Sequence, residues 1–153
     1  MNFLEHRIPP PLVFLVFAIG MAIAAWLGAA MALAPALRWG VVGLFILAAA
    51  GLAPPAVIAF RRAQTTVNPV QIDKASSMVT DGPFRYTRNP MYLGLTSLLV
   101  AWAFALSAPL TLLSPLLFAL FITQFQIVPE ERMMREKFGA AYDDYCGRVR
   151  RWI

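Results

Sequence analysis

The sequence predicts an all-α membrane protein with about four transmembrane helices and a C-terminal amphipathic helix on the cytoplasmic side. Three observations predict it. The 153-residue chain is 59% hydrophobic and only 14% charged, against about 25% charged in an ordinary soluble domain. Asp, Glu, Lys and Arg are absent from residues 8–37, 39–60 and 89–129, runs of 30, 22 and 41 residues, and about 20 apolar residues suffice for a helix to cross a bilayer. Finally, twelve of the thirteen Lys and Arg residues fall in segments that four spans would place on one side. The length favours a single domain over residues 1–153.

The first span is expected over about 12–33, ending near Pro35. The run is too long for a signal peptide, opens on Pro9-Pro10-Pro11, and follows a segment in which Glu5 offsets Arg7, so a span is the better reading. The second is expected over about 39–60, stopped by Arg61-Arg62, with a kink at Pro54-Pro55 that neighbouring helices would accommodate. The 41-residue run would make a helix about 62 Å long, twice the hydrocarbon thickness, and must fold back. Ser107-Ala108-Pro109 is the breaker, giving a third span over about 91–106 and a fourth over about 110–128.

The tail after Pro129 reads as one helix. Met134, Phe138, Ala141, Tyr142, Tyr145 and Val149 form an apolar stripe at spacings of three and four, opposite Arg132, Arg135, Glu136, Asp143 and Asp144. Such a helix would lie on the membrane surface or cap a polar site. With four spans, Arg7, the basic residues of the loop 61–88 and those of the tail share a side, and Arg38 alone lies opposite. The positive-inside rule puts the larger group, and with it both termini, in the cytoplasm.

Composition also narrows the function. The single histidine, His6, and the single cysteine, Cys146, make a metal cluster or a Cys–His pair a poor expectation. The net charge of +5 is explained by membrane orientation, without nucleic acid as a partner. No ionisable residue lies within a span, which counts against an ion or proton pathway. The polar chemistry is gathered at the cytoplasmic side, beneath an apolar roof.

Arg88-Asn89-Pro90-Met91-Tyr92-Leu93-Gly94, preceded by Asp81-Gly82-Pro83-Phe84, resembles the signature Arg-His-Pro-x-Tyr-x-Gly of the isoprenylcysteine carboxyl methyltransferase and phospholipid methyltransferase superfamily. A second block follows after a hairpin: Glu130-Glu131, Phe138-Gly139, Tyr142 and Tyr145. The resemblance covers roughly residue 65 to the C-terminus. It implies a single integral membrane methyltransferase that uses S-adenosylmethionine, with a cofactor region over about 65–94 and 126–153. By family position the cofactor would be held by Ser76, Ser77, Met78, Val79, Phe84, Asn89, Pro90, Tyr92 and Glu130, with Glu131 and Gly94 beside them.

The residue chemistry suits that assignment. A carboxylate holds an ammonium or ribose hydroxyls, Tyr92 offers an aromatic face and a hydroxyl, and Gly94 permits close approach. Asn89 stands where the family commonly has His, so it can hydrogen-bond but cannot shuttle a titrating proton. Gln126 stands where the isoprenylcysteine branch has a basic residue. Gln126 and Arg88 are the candidate substrate contacts. Plainer readings exist for each: acidic residues favour helix starts, and Gly94 would serve helix packing.

The resemblance implies methyl transfer to a hydrophobic, membrane-embedded acceptor, as in isoprenylcysteine carboxyl O-methylation. Phospholipid N-methylation is the alternative, and a non-catalytic scaffold or lipid-binding protein is the alternative of another class.

Overall fold

The computed structural model describes residues 9–63 and 77–153, and these contain helices and turns but no strand. Helix α1 covers Pro10–Leu27 and α2 covers Pro35–Arg62. A short 3-10 turn, Gly82–Arg85, leads into α3, Pro90–Leu106. A second 3-10 turn, Pro109–Leu113, opens a continuous rod that continues as α4 (Ser114–Ile122), a π-helical segment (Thr123–Ile127) and α5 (Val128–Phe138). Helix α6 covers Ala140–Arg148. Three of these stretches, Pro10–Leu27, Pro35–Arg62 and Pro109–Phe138, are long and apolar enough to cross a membrane, and Pro90–Leu106 is a shorter apolar helix.

Proline at the first position starts α1, α2 and α3, where its fixed φ costs nothing and its missing N–H was unpartnered anyway. Helix α1 stops at Leu27, earlier than the expected residue 33. Gly28 leaves helical space there, and a Cβ on it would lie 2.9 Å from the Ala24 carbonyl oxygen. Helix α2 starts at Pro35, about one turn before the expected residue 39 and ahead of Arg38. It continues through Pro54-Pro55 without a break in its helical assignment. Arg61 and Arg62 close it where the helix dipole favours cations.

Helix α3 turns back at Ser107, in the left-handed region at φ 50°, ψ 44°. Its N–H bonds the Ala103 carbonyl at 3.1 Å and its hydroxyl bonds the Phe104 carbonyl at 3.1 Å. Met31 N–H donates to the Ser107 carbonyl at 2.6 Å, and the Arg38 guanidinium donates to the Ala105 carbonyl. The α1–α2 loop, Arg38 and the α3–α4 turn therefore gather at one end of the bundle. The Arg38 cation lies where the last carbonyls of α3 carry partial negative charge.

Helix α3 lies at the centre. On one side Gly94 meets α2, where an added Cβ would be 3.0 Å from Ala53 Cβ. On the other, Leu99 and Ala103 join Val13, Met21, Phe118 and Ile122 in a buried core. Phe17 and Phe118 stack edge to face at 5.5 Å. Outward-facing Leu15, Ile19, Leu44, Leu47, Leu116 and Leu120 are exposed, an apolar surface far beyond what a water-soluble monomer shows.

The expected single tail helix is corrected in two places. It does not begin afresh at Pro129, because the fourth span runs through the π segment into α5. It breaks at Gly139, at φ 53°, ψ −130°, a conformation open to glycine and strained for other residues. At 1.5 Å per residue the rod is about 45 Å long, so its last turns outrun a hydrocarbon core of about 30 Å. Those turns carry Glu130 and Glu131.

Candidate active site

A cavity of about 370 Å³ lies at the end of the bundle opposite Arg38, a size ordinary for a small-molecule site. Its walls come from the starts of α1 and α3, the end of α2, the segment before Gly82–Arg85, the end of the rod and α6. Pro10, Pro11, Ala53, Val57, Met91 and Leu95 make an apolar wall, while Arg88, Asn89, Glu130 and Glu131 bring polar groups.

Ten residues singled out from the sequence line this cavity together: Ser77, Met78, Val79, Phe84, Arg88, Asn89, Pro90, Tyr92, Glu130 and Glu131. Ser76 lies outside the described residues. Gly94 and Gln126 are not in the lining. Gly94 faces Ala53 at the α2–α3 contact, and Gln126 is buried within the π segment.

Tyr92, buried on α3, donates its hydroxyl to Glu130 Oε1 on the rod. This joins the two sequence blocks directly. Glu131, one residue on, takes a different set of partners. Its Oε1 accepts from Arg151 Nε at 2.9 Å and lies 3.1 Å from Arg88 Nη2, and its Oε2 accepts from Arg151 Nη2 at 2.7 Å. Asn89 also turns to the tail: its amide donates to the Arg151 carbonyl at 2.9 Å, and its N–H bonds Thr87 Oγ1 at 3.1 Å. Asn89 has φ −129°, ψ 53°, outside the α region that the following proline disfavours, though its ψ falls short of the extended range.

The tail supplies cavity residues absent from the sequence-derived set. Tyr142 and Tyr145 both line it. Tyr145 donates to the Phe84 carbonyl at 2.7 Å, and Phe84 stacks edge to face on Phe60 at 5.3 Å. The turn Gly82–Arg85 is thus held from two sides. Burial pushes the Tyr145 hydroxyl up to about 12, so it remains a proton donor at neutral pH. Burial, and next the Glu131 carboxylate, raise Tyr142 further. With Met78, Met134 and Phe138, these tyrosines form a second apolar cluster. Of the two placements expected for the tail stripe, the structure has it capping the site.

The sequence signal for Tyr142 and Tyr145 was their place in the second block and their three-residue spacing. For Pro10, Pro11, Val57, Phe60, Leu95 and Ile127 there was none beyond apolarity, because they reach the cavity only through helix packing.

Fold and site together define a helical membrane protein with a partly charged, partly apolar pocket at one end of its bundle. Residues 38–141 match the phospholipid methyltransferase family, and the chain belongs to it. That places it among the integral membrane methyltransferases, as the two sequence blocks suggested. An uncharacterised protein of Haemophilus influenzae (strain ATCC 51907 / DSM 11121 / KW20 / Rd) is 44% identical over 63 residues, 41% of this chain and 100% of that relative. No solved structure matches the chain.

Proposed function

We propose that this protein transfers a methyl group from S-adenosylmethionine to a hydrophobic acceptor embedded in the membrane, at the pocket that Tyr92 and Glu130 line. The observation that carries the reading is the contact between those two residues, one from each signature block, at the wall of a cavity that is apolar toward the bundle and charged toward the tail. Arg88, whose guanidinium lies 3.1 Å from Glu131, lines the same cavity, and its cation suits an anionic group of a ligand. Glu130 suits an ammonium or hydroxyls.

S-adenosylmethionine supplies an electrophilic methyl on a sulfonium sulfur. The chain's residues have three tasks. Glu130, held by the Tyr92 hydroxyl, binds and orients the polar end of the cofactor. The apolar wall of Pro10, Pro11, Ala53 and Val57 admits an acceptor from the bilayer and excludes water. Holding donor and acceptor in line supplies most of the rate, since proximity and orientation contribute up to about 7–11 kcal/mol. A carboxylate or thiolate acceptor needs no base. A protonated amine needs one, and the candidates lining the pocket are Glu130, Glu131 and Tyr92.

The family match over 38–141 favours, as a second reading, a phospholipid amine as acceptor. One experiment separates them. Purified protein is incubated with methyl-labelled S-adenosylmethionine and a total lipid extract. Label is expected in an organic-phase product, and its alkaline lability distinguishes a methyl ester from a methylated amine. Label confined to the aqueous phase, with folded protein and a range of membrane lipids, would contradict the enzyme reading and favour a scaffold.

A further inference from the structure

Beyond α6 the chain returns as a strap to the residues just before α3 and to Glu131. The Arg150 carbonyl accepts the Arg88 N–H at 3.0 Å, and the Arg151 carbonyl accepts Thr87 Oγ1 at 3.3 Å besides Asn89 Nδ2. Trp152 packs against the buried core and donates its Nε1–H to Thr123 Oγ1 at 3.2 Å, in the π segment. The strap thereby brings one guanidinium, Arg151, to a carboxylate that a second guanidinium, Arg88, already touches.

The sharing is unequal. Arg151 engages both oxygens of Glu131, while Arg88 reaches only Oε1. Glu131 and Arg88 are nearly buried, at 10% and 13% side-chain exposure. An arginine and a carboxylate left to themselves prefer a two-bond fork, which would neutralise Arg88 and spend its donors. With Arg151 present, two cations share one anion and a net positive charge remains at the cavity wall. Charges act strongly in such a poorly solvated place. Glu130, on the same helix, supplies the opposite sign.

We propose that Arg151 is a positioning residue: by occupying both oxygens of Glu131 it keeps Arg88 available to the carboxylate of the cofactor's amino-acid end. The proposal rests on the cofactor reading above. It makes the last residues of the chain part of the binding machinery, although Arg151 acts through Glu131 and Arg88.

Two ligands test it by calorimetry on the detergent-solubilised full chain. S-adenosylhomocysteine carries the amino-acid end, and methylthioadenosine lacks it. Arg151→Met is expected to weaken S-adenosylhomocysteine about tenfold, the scale of one lost charged hydrogen bond, and to leave methylthioadenosine unchanged. Arg88→Met is expected to do the same, and the double variant to lose no more than either alone. Arg151→Lys keeps the charge without the fork and is expected to show a smaller loss, again confined to S-adenosylhomocysteine; it serves if Arg151→Met does not fold. Equal losses for both ligands would make the strap purely structural, and unchanged affinity for S-adenosylhomocysteine would remove the positioning role. Wild-type protein that binds both ligands equally would overturn the proposal while leaving an adenosine site. Wild-type protein that binds neither would overturn the cofactor reading and the proposal with it.

Discussion

Glu130 and Glu131 are neighbours with different tasks. Successive residues on a helix point about 100° apart, so Glu130 meets Tyr92 at the pocket wall while Glu131 turns to Arg88 and Arg151. Replacing Glu130 by Gln keeps the shape and removes the charge. Its cofactor affinity is expected to fall by about 1.5–3 kcal/mol, tenfold to a hundredfold, with melting little changed because a helix-end charge contributes about 0.3–1 kcal/mol. Calorimetry with S-adenosylhomocysteine beside melting curves checks this. Wild-type affinity would reduce Glu130 to a helix cap. Arg148→Gln is the control, an exposed residue paired with exposed Asp144. Arg135 is less suitable, because it bridges to Asp143 and lies over the ring of Tyr142. At this scale the residue types of the site were legible, since both signature blocks are contiguous. The split between the two glutamates was not. It depends on Arg151 returning from 20 residues further along the chain, and no local pattern announces that.

Among the elements, the spans were legible because charge-free runs leave few alternatives in a bilayer. Their ends were less so. Gly28 ends α1 through backbone geometry, while the apolar run continues beyond it. The break at Gly139 had a visible signal, a glycine after Phe138, but the apolar stripe continues through it into α6. The π segment has no sequence counterpart at all. It lies where Trp152 meets Thr123, and such segments are frequent at functional sites. Gly94 shows how packing competes with function for the same residue. Gly94→Ala would set a Cβ 3.0 Å from Ala53 Cβ and is expected to destabilise by about 1–3 kcal/mol, the usual cost of overpacking. Ala53→Gly in the same chain is expected to recover part of that loss. Melting curves of the single and double variants decide, with S-adenosylhomocysteine affinity of the folded protein expected to hold. A loss of affinity without a loss of stability would return Gly94 to the cofactor site.

At the level of the whole molecule, the cavity and the Arg38 cluster mark opposite ends of one bundle, and the excess of basic residues lies at the cavity end. The expected orientation puts that end in the cytoplasm. Lys74 is outside the described residues; in sequence it falls between α2 and the Gly82–Arg85 turn. In a Cys146→Ser background, a cysteine at exposed position 32 is expected to react with an impermeant thiol reagent added outside intact cells. A cysteine at position 74 is expected to react only after permeabilisation, and the reverse pattern would invert the topology. The central claim, that this bundle end is a cofactor site, meets its most direct test in ligand-dependent melting of the detergent-solubilised protein. A ligand that binds the folded state at 100 times its dissociation constant adds about 2.7 kcal/mol of apparent stability. S-adenosylhomocysteine is therefore expected to raise the melting temperature progressively with concentration, and to raise it less in Glu130→Gln. A melting temperature unmoved at millimolar S-adenosylhomocysteine, on protein that unfolds cooperatively, would contradict the account.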